Sequence, residues 1–154
     1  MIKVFLVEDE VVMRNGIKNN IPWEKEGLIF AGEASDGELA YPMIKKAQPD
    51  ILITDIRMPF MDGLELSELV KKEFPKIKII ILSGYNEFDY AKQAIHIGVT
   101  DYLLKPITAS KLLEAVKKVA DVIEKEREEE GMLERYRLEM AENTVLERQR
   151  LFRD

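Results

Sequence analysis

The chain of 154 residues contains no cysteine, one histidine and one tryptophan. Without thiols there is neither a disulfide nor a thiolate metal site, and this absence leads us to expect a cytoplasmic address. His96 alone excludes any multi-histidine metal centre. No apolar run approaches the length that spans a bilayer, so no membrane helix is expected. The opening MIKVFLVEDE turns acidic too early for a secretory signal and reads as a buried first strand. A surplus of positive charge is missing too: the net charge of −6 argues against direct nucleic-acid binding, which needs a basic face. Apolar residues nevertheless make up 46% of the chain, enough for the core of about one domain.

Those apolar residues fall into five strand-like runs: Ile2–Val7, Leu28–Ala34, Asp50–Asp55, Ile77–Leu82 and Thr100–Leu104. Helical spacing fills the gaps at Val11–Asn20, Asp36–Ala47, Asp62–Phe74 and Asn86–Ile97, and a fifth helix starts near Thr108. Runs such as KIIIL are apolar on both faces, as strands of a parallel sheet covered on both sides must be. The expected fold is therefore α/β, a doubly wound five-stranded parallel sheet joined by right-handed crossovers. Pro42 conflicts with the second helix and predicts a kink or a late start. From Glu124 to Asp154 the chain is dominated by Glu, Arg and Lys, so residues 1–123 are expected to form the domain and 124–154 a charged helical linker or dimerisation helix. Leu138, Val145 and Phe152 recur every seven residues, but the positions between them are mostly polar.

Functional side chains cluster at strand ends. Glu8 and Asp9 follow the first strand, Asp55 ends the third, Ser83 follows the fourth and Lys105 the fifth. In a doubly wound sheet those ends share one edge, where ligands bind at the switch in strand order. Three carboxylates brought together repel unless a hard cation neutralises them, and an all-oxygen donor set points to Mg²⁺. One carboxylate beside such a cation and a lysine is placed to attack and hold a phosphoryl group. Helix capping alone would explain Asp9 and Asp55 one at a time, but caps need not cluster. Ser83 also has an ordinary reading as a turn serine, and Tyr102 as a half-buried strand aromatic. For His96 a packing or surface role is expected, for Trp23 a loop anchor, and for Met58 and Met61 loop packing.

Glu8-Asp9, the turn Asp55-Ile56-Arg57-Met58-Pro59 with Asp62-Gly63, Ser83, Tyr102 and Lys105-Pro106 together resemble the receiver domain of two-component response regulators. The likeness covers about residues 2–122, and Ile21-Pro22-Trp23 with the stretch Ser83–Ala91 is closest in texture to receivers that precede AraC-type DNA-binding domains. It implies the flavodoxin-like strand order 2-1-3-4-5 with an extended C-terminal helix. It implies that Asp55 is the phosphoacceptor for a sensor histidine kinase. Glu8, Asp9, Asp55 and the Arg57 backbone carbonyl would hold Mg²⁺, with Lys105 neutralising phosphoryl oxygens. Ser83 and Tyr102 would be the switch pair, and Lys105-Pro106 a cis peptide. The resemblance also implies a homodimer on phosphorylation, and transcriptional control exerted on DNA only through an output domain absent from these residues. Such a chain catalyses only its own phosphorylation and dephosphorylation and is not an enzyme in the ordinary sense.

Three alternatives stay open at this point. A haloacid-dehalogenase-like phosphotransferase needs a second aspartate two residues after the nucleophile, where this chain has Arg57. A flavodoxin-like FMN carrier needs a hydroxyl- and glycine-rich loop where Glu8-Asp9-Glu10 would repel phosphate. An interaction-only pseudo-receiver is opposed by the intact set Asp9, Asp55 and Lys105.

Overall fold

The computed structural model describes residues 1–84 and 88–152, with the side chains of 147–152 left aside. Five strands, β1 (Ile2–Val7), β2 (Leu28–Ala34), β3 (Ile51–Asp55), β4 (Lys78–Ser83) and β5 (Asp101–Leu104), form one sheet in the order β2-β1-β3-β4-β5. Every neighbouring pair is parallel. The order reverses at β1, so β1 and β3 diverge into opposite halves of the sheet and open a crevice beyond their carboxyl ends. The strands end within one residue of the sequence expectation.

Both faces of the sheet are covered. On one, Phe5, Val7, Leu52, Ile79 and Ile81 pack with Ala40 and Ile44, Leu64, Leu66 and Val70, and Ala94. These come from helices α2 (Gly37–Ala47), α3 (Gly63–Glu73) and α4 (Phe88–Ile97). The alternate strand residues Val4, Leu6, Ile53, Ile80 and Leu82 are equally buried. They face helix α1 (Val11–Asn20) and the first turns of α5 (Ala109–Phe152), which meet along a groove lined by Ile17 and Leu112. Each fully buried Ile or Leu contributes on the order of 2 kcal/mol, which makes the continuous apolar strands the main source of stability. Against the edge strand β2, Gly32 makes room for the core: a Cβ there would come within 2.7 Å of the Phe5 ring.

Capping sets the helix starts. Asp36 accepts from the Leu39 amide and Asp62 from the Glu65 amide, each satisfying an otherwise orphaned N–H. Pro42 neither delays α2 nor ends it, since the helix starts at Gly37 and continues to Ala47. The Asp36 cap and the burial of Ala40 and Ile44 outweigh the about 3 kcal/mol that an interior proline costs. Trp23 anchors its loop as expected: it is buried, tilted against Phe30, and donates from Nε1 to the Lys18 carbonyl. The Lys105–Pro106 peptide is cis.

The chain divides into two units, Met1–Ala120 and Asp121–Asp154. The second consists of the later turns of α5, which pass through Gly131 without a break. Its Met132, Leu133, Tyr136, Leu138, Met140 and Val145 are exposed. Among the described residues no helix is long and apolar enough to cross a membrane.

Candidate functional site

The residues singled out at strand ends meet in one pocket. Glu8, Asp9 and Asp55 each offer a carboxylate oxygen, and the three oxygens lie within 4.8 Å of one another. Glu8 is fully buried, Asp55 nearly so, and Asp9 half-buried. The Lys105 Nζ lies 3.0 Å from Asp55 Oδ2 and 3.1 Å from Glu8 Oε2, so the ammonium bridges two of the three acids. Lys105 is held there by its own backbone, whose N–H donates to the Ser83 carbonyl at 2.7 Å.

Local folding aims each group. The Ile56 amide donates to Asp55 Oδ1, leaving Oδ2 for Lys105. The Thr54 hydroxyl donates to the Asp55 carbonyl, and the Gly63 amide to the Ile56 carbonyl, which folds the β3–α3 loop back over the strand end. Asp9 does not cap α1: the capping position is Glu10, whose side chain makes no cap hydrogen bond. Ser83 is fully buried at the end of β4. Tyr102 is half-buried on β5 and packs against the same apolar cluster as Tyr90. Met58 and Met61 pack there too, while His96 is exposed on α4, both as expected. Tyr85 and the expected start of the fourth helix at Asn86 lie outside the described residues.

Two features were not expected. Arg57 turns toward α4, donating from Nε to the Tyr90 hydroxyl at 3.2 Å with its guanidinium carbon 5.8 Å from the ring centre. Gly63 is more than a helix opener, since a Cβ there would stand 1.8 Å from the Asp55 carbonyl oxygen. The spacing of Asp62-Gly63 marked the helix start, but only the folded loop reveals the close approach.

Burial dominates the electrostatics. Loss of water pushes Glu8 up to about 7, and the Asp55 charge adds to this, against the opposing pull of Lys105. Burial likewise raises Asp55, with Lys105 and the Ile56 amide opposing. Burial lowers Lys105, but its bonds and charge pairing with Asp55 and Glu8 outweigh that and leave it above its ordinary value. Three carboxylates share one ammonium here, so the pocket is short of positive charge.

A stability consequence follows from Glu8. Its folded pKa lies above the unfolded value of 4.5, so the folded state retains the proton longer. Stability from this group is present below about pH 4.5 and is lost as pH rises toward 7. In chelator, the unfolding free energy of wild type from urea titration is expected to fall across that window relative to Glu8→Gln, by at most about 3 kcal/mol. Millimolar Mg²⁺ should remove the difference in slope, because a bound divalent cation favours the carboxylate. Parallel pH profiles in chelator would show that Glu8 titrates normally.

Sheet order, acidic pocket and bridging lysine define a doubly wound α/β domain able to take a cation and an anion side by side. Residues 4–117 match the family model of the response regulator receiver domain. The chain belongs to this family. It is 41% identical over 119 residues to the transcriptional regulatory protein YesN of Bacillus subtilis (strain 168), covering 77% of this chain and 32% of that protein. It is 39% identical over 112 residues to the transcriptional regulatory protein HptR of Staphylococcus aureus (strain N315), covering 73% of this chain and 44% of that one. The REC domain of AraT, a response regulator from Geobacillus stearothermophilus, superposes with a TM-score of 0.76 at 39% identity. That match covers 81% of this chain and 97% of the other. The chain spans less than half of the length of these curated relatives.

Proposed function

We propose that this receiver accepts a phosphoryl group from the phosphohistidine of a sensor kinase onto Asp55 in a Mg²⁺-dependent reaction. The observation that carries the reading is the pocket itself, three carboxylate oxygens within 4.8 Å with Lys105 bonded to two of those acids. Glu8, Asp9, Asp55 and the Arg57 carbonyl would hold the cation, an all-oxygen set suited to Mg²⁺. When bound, Mg²⁺ neutralises charge on the phosphoryl oxygens. Asp55 Oδ2 is the attacking atom, because Oδ1 is committed to the Ile56 amide. In the attack a bond forms from Oδ2 to phosphorus, the phosphorus–nitrogen bond to the donor histidine breaks, and its electron pair stays on the imidazole. Lys105 then turns from carboxylates to phosphoryl oxygens, placing fixed positive charge where negative charge gathers. Ser83 supplies the hydroxyl that captures a phosphoryl oxygen, and Tyr102 follows as the space beside Ser83 changes.

The test is incubation with acetyl phosphate. Intact mass is expected to rise by one phosphoryl group with Mg²⁺, in an acid-labile form, and not to rise in chelator. A chelator-insensitive label would remove the metal from the reaction.

By the same reading residues 1–123 form the receiver, 124–154 a linker or dimerisation helix, and the output is transcriptional control by a cytoplasmic regulator acting on DNA through a separate domain. The phosphorylated surface is the one beside Lys105 and β5. Beryllofluoride, a phosphoryl mimic, is expected to shift the protein from monomer toward homodimer at micromolar concentration. An unchanged mass in sedimentation would exclude this. If the protein is dimeric without the mimic, truncation after Val122 should give a monomer.

A further inference from the structure

Glu8 and Asp9 lie between β1 and α1, and the usual fasteners of such a loop are missing. A helix commonly starts on a side-chain cap, with an apolar residue pinning its first turn. Glu10, at the capping position of α1, makes no side-chain cap bond, and Val11 and Val12 in the first turn are exposed. Ile17 is buried, but it lies further along the helix. On the strand side the Glu8 amide is secured, donating to the Ala34 carbonyl at 3.0 Å. Beyond it the fastening comes from Arg14. Its Nη1 donates to the Glu8 carbonyl at 2.7 Å, and its amide donates to the Glu10 carbonyl at 2.9 Å. One residue thus holds the carbonyls on either side of Asp9.

The choice of acceptor is informative. Arg14 is half-buried beside a pocket of three carboxylates, yet its guanidinium bonds to an uncharged backbone oxygen. An arginine bonded to the carboxylates would compete with a cation for them. Bonded to the backbone behind them, it leaves them open and fixes where they point. The bond has a charged donor and lies at the short end of the N–H···O range, the stronger kind of hydrogen bond. Resting on the reading of this pocket as a Mg²⁺-dependent phosphoacceptor site, we infer that Arg14 is a positioning residue that presets Glu8 and Asp9 for the cation. It acts through the loop and touches neither metal nor phosphoryl group.

Two effects of Arg14 on cation binding have opposite signs, so the role can be measured. As a positive charge near the pocket Arg14 repels Mg²⁺, and removing it would tighten binding. As a clasp it spares the cation the cost of ordering the loop, and removing it weakens binding. Salt screens the first effect and leaves the second. Arg14→Met keeps a long helix-forming side chain without charge or donor. Arg14→Lys keeps the charge and a donor of similar reach.

The experiment is calorimetric titration of Mg²⁺ into the chelator-treated full-length protein at pH 7 and near-physiological salt, for wild type, Arg14→Met and Arg14→Lys. Arg14→Met is expected to raise the Kd for Mg²⁺ roughly 10-fold, in line with removal of a group that orients metal ligands from behind. Arg14→Lys is expected to recover most of the loss. A Kd for Arg14→Met equal to or below that of wild type overturns the clasp, as does a lysine variant that binds no better than the methionine one. Amide exchange in chelator gives a second readout. The amides of Glu8, Glu10 and residue 14, bonded at rest, are expected to exchange faster in Arg14→Met than in wild type, while Ile53 and Ile80 in the central strands keep their rates. Faster exchange at all five would mean a general loss of stability and would overturn the local role. A wild type that binds no Mg²⁺ overturns the functional reading and this inference together. Wild-type binding that Arg14→Met retains in full overturns the inference alone.

Discussion

Asp55→Asn is expected to abolish phosphorylation while leaving the fold intact and the resting protein more stable. The first part follows from chemistry: an amide oxygen does not attack phosphorus as a carboxylate does, and Glu8 and Asp9 cannot substitute. Glu8 is fully buried with both oxygens within reach of Lys105, and Asp9 begins from a different strand end. The second part follows from the electrostatics. Burial already holds Asp55 above its ordinary pKa, so folding disfavours its charged form relative to the unfolded chain. Asparagine keeps the shape, can still accept from the Ile56 amide through its oxygen, and removes one of two like charges around Lys105. The sign is that of any acid raised on folding: the neutral replacement gains most above the unfolded pKa. Intact mass after acetyl phosphate and the urea midpoint at pH 7 in chelator check the two parts. A label of equal size in the variant would move the phosphoacceptor elsewhere. A lower midpoint would mean that the Asp55–Lys105 pair outweighs burial.

The order of elements was legible because a parallel sheet leaves an unusual trace. KIIIL and DILIT are apolar at consecutive positions, which only a strand covered on both faces requires, and β4 and β3 are buried throughout apart from Lys78. The site was legible for the same topological reason, since residues that end parallel strands share an edge whatever their separation along the chain. Asp55 and Lys105 are fifty residues apart and bonded.

What could not be read was side-chain destination. Nothing in Glu8-Asp9 distinguishes the residue that becomes fully buried against Lys105 from the one left half-exposed. Only the assembled pocket decides this. Arg57 was read only through its backbone carbonyl, as a metal ligand, yet its side chain bonds to Tyr90, thirty-three residues on, through a contact that has no sequence period. Pro42 was read as a kink or a late start, and it lies inside α2, which starts at Gly37. Local propensity is a weak prior where buried neighbours or a long run of helix formers oppose it. The close approach at Gly63 is of this kind too, and it has the largest structural consequence.

Gly63→Ala is expected to cost about 3 kcal/mol or more and to suppress phosphorylation in whatever fraction still folds. The argument is steric rather than conformational. A Cβ at this position would lie 1.8 Å from the Asp55 carbonyl oxygen and 2.8 Å from its carbon, both backbone atoms of a fully buried strand. Neither can rotate away as a side chain would. The Asp55 carbonyl also accepts from the buried Thr54 hydroxyl, and the Gly63 amide is bonded to the Ile56 carbonyl at 2.8 Å. Relief therefore requires the start of α3 to lift from the end of β3, and this breaks the bond that folds the loop over the strand. Displacing Ile56 also moves the amide that holds Asp55 Oδ1, so the carboxylate loses its aim toward Lys105. Gly131→Ala is the control: it sits inside α5, where a Cβ meets nothing within 4 Å, and is expected to favour the helix by up to about 1 kcal/mol. Urea unfolding followed by intact fluorescence of Trp23, together with labelling by acetyl phosphate and Mg²⁺, separates the two effects. A Gly63→Ala protein with wild-type stability and full labelling would show that the β3–α3 loop is not tied down as these distances require.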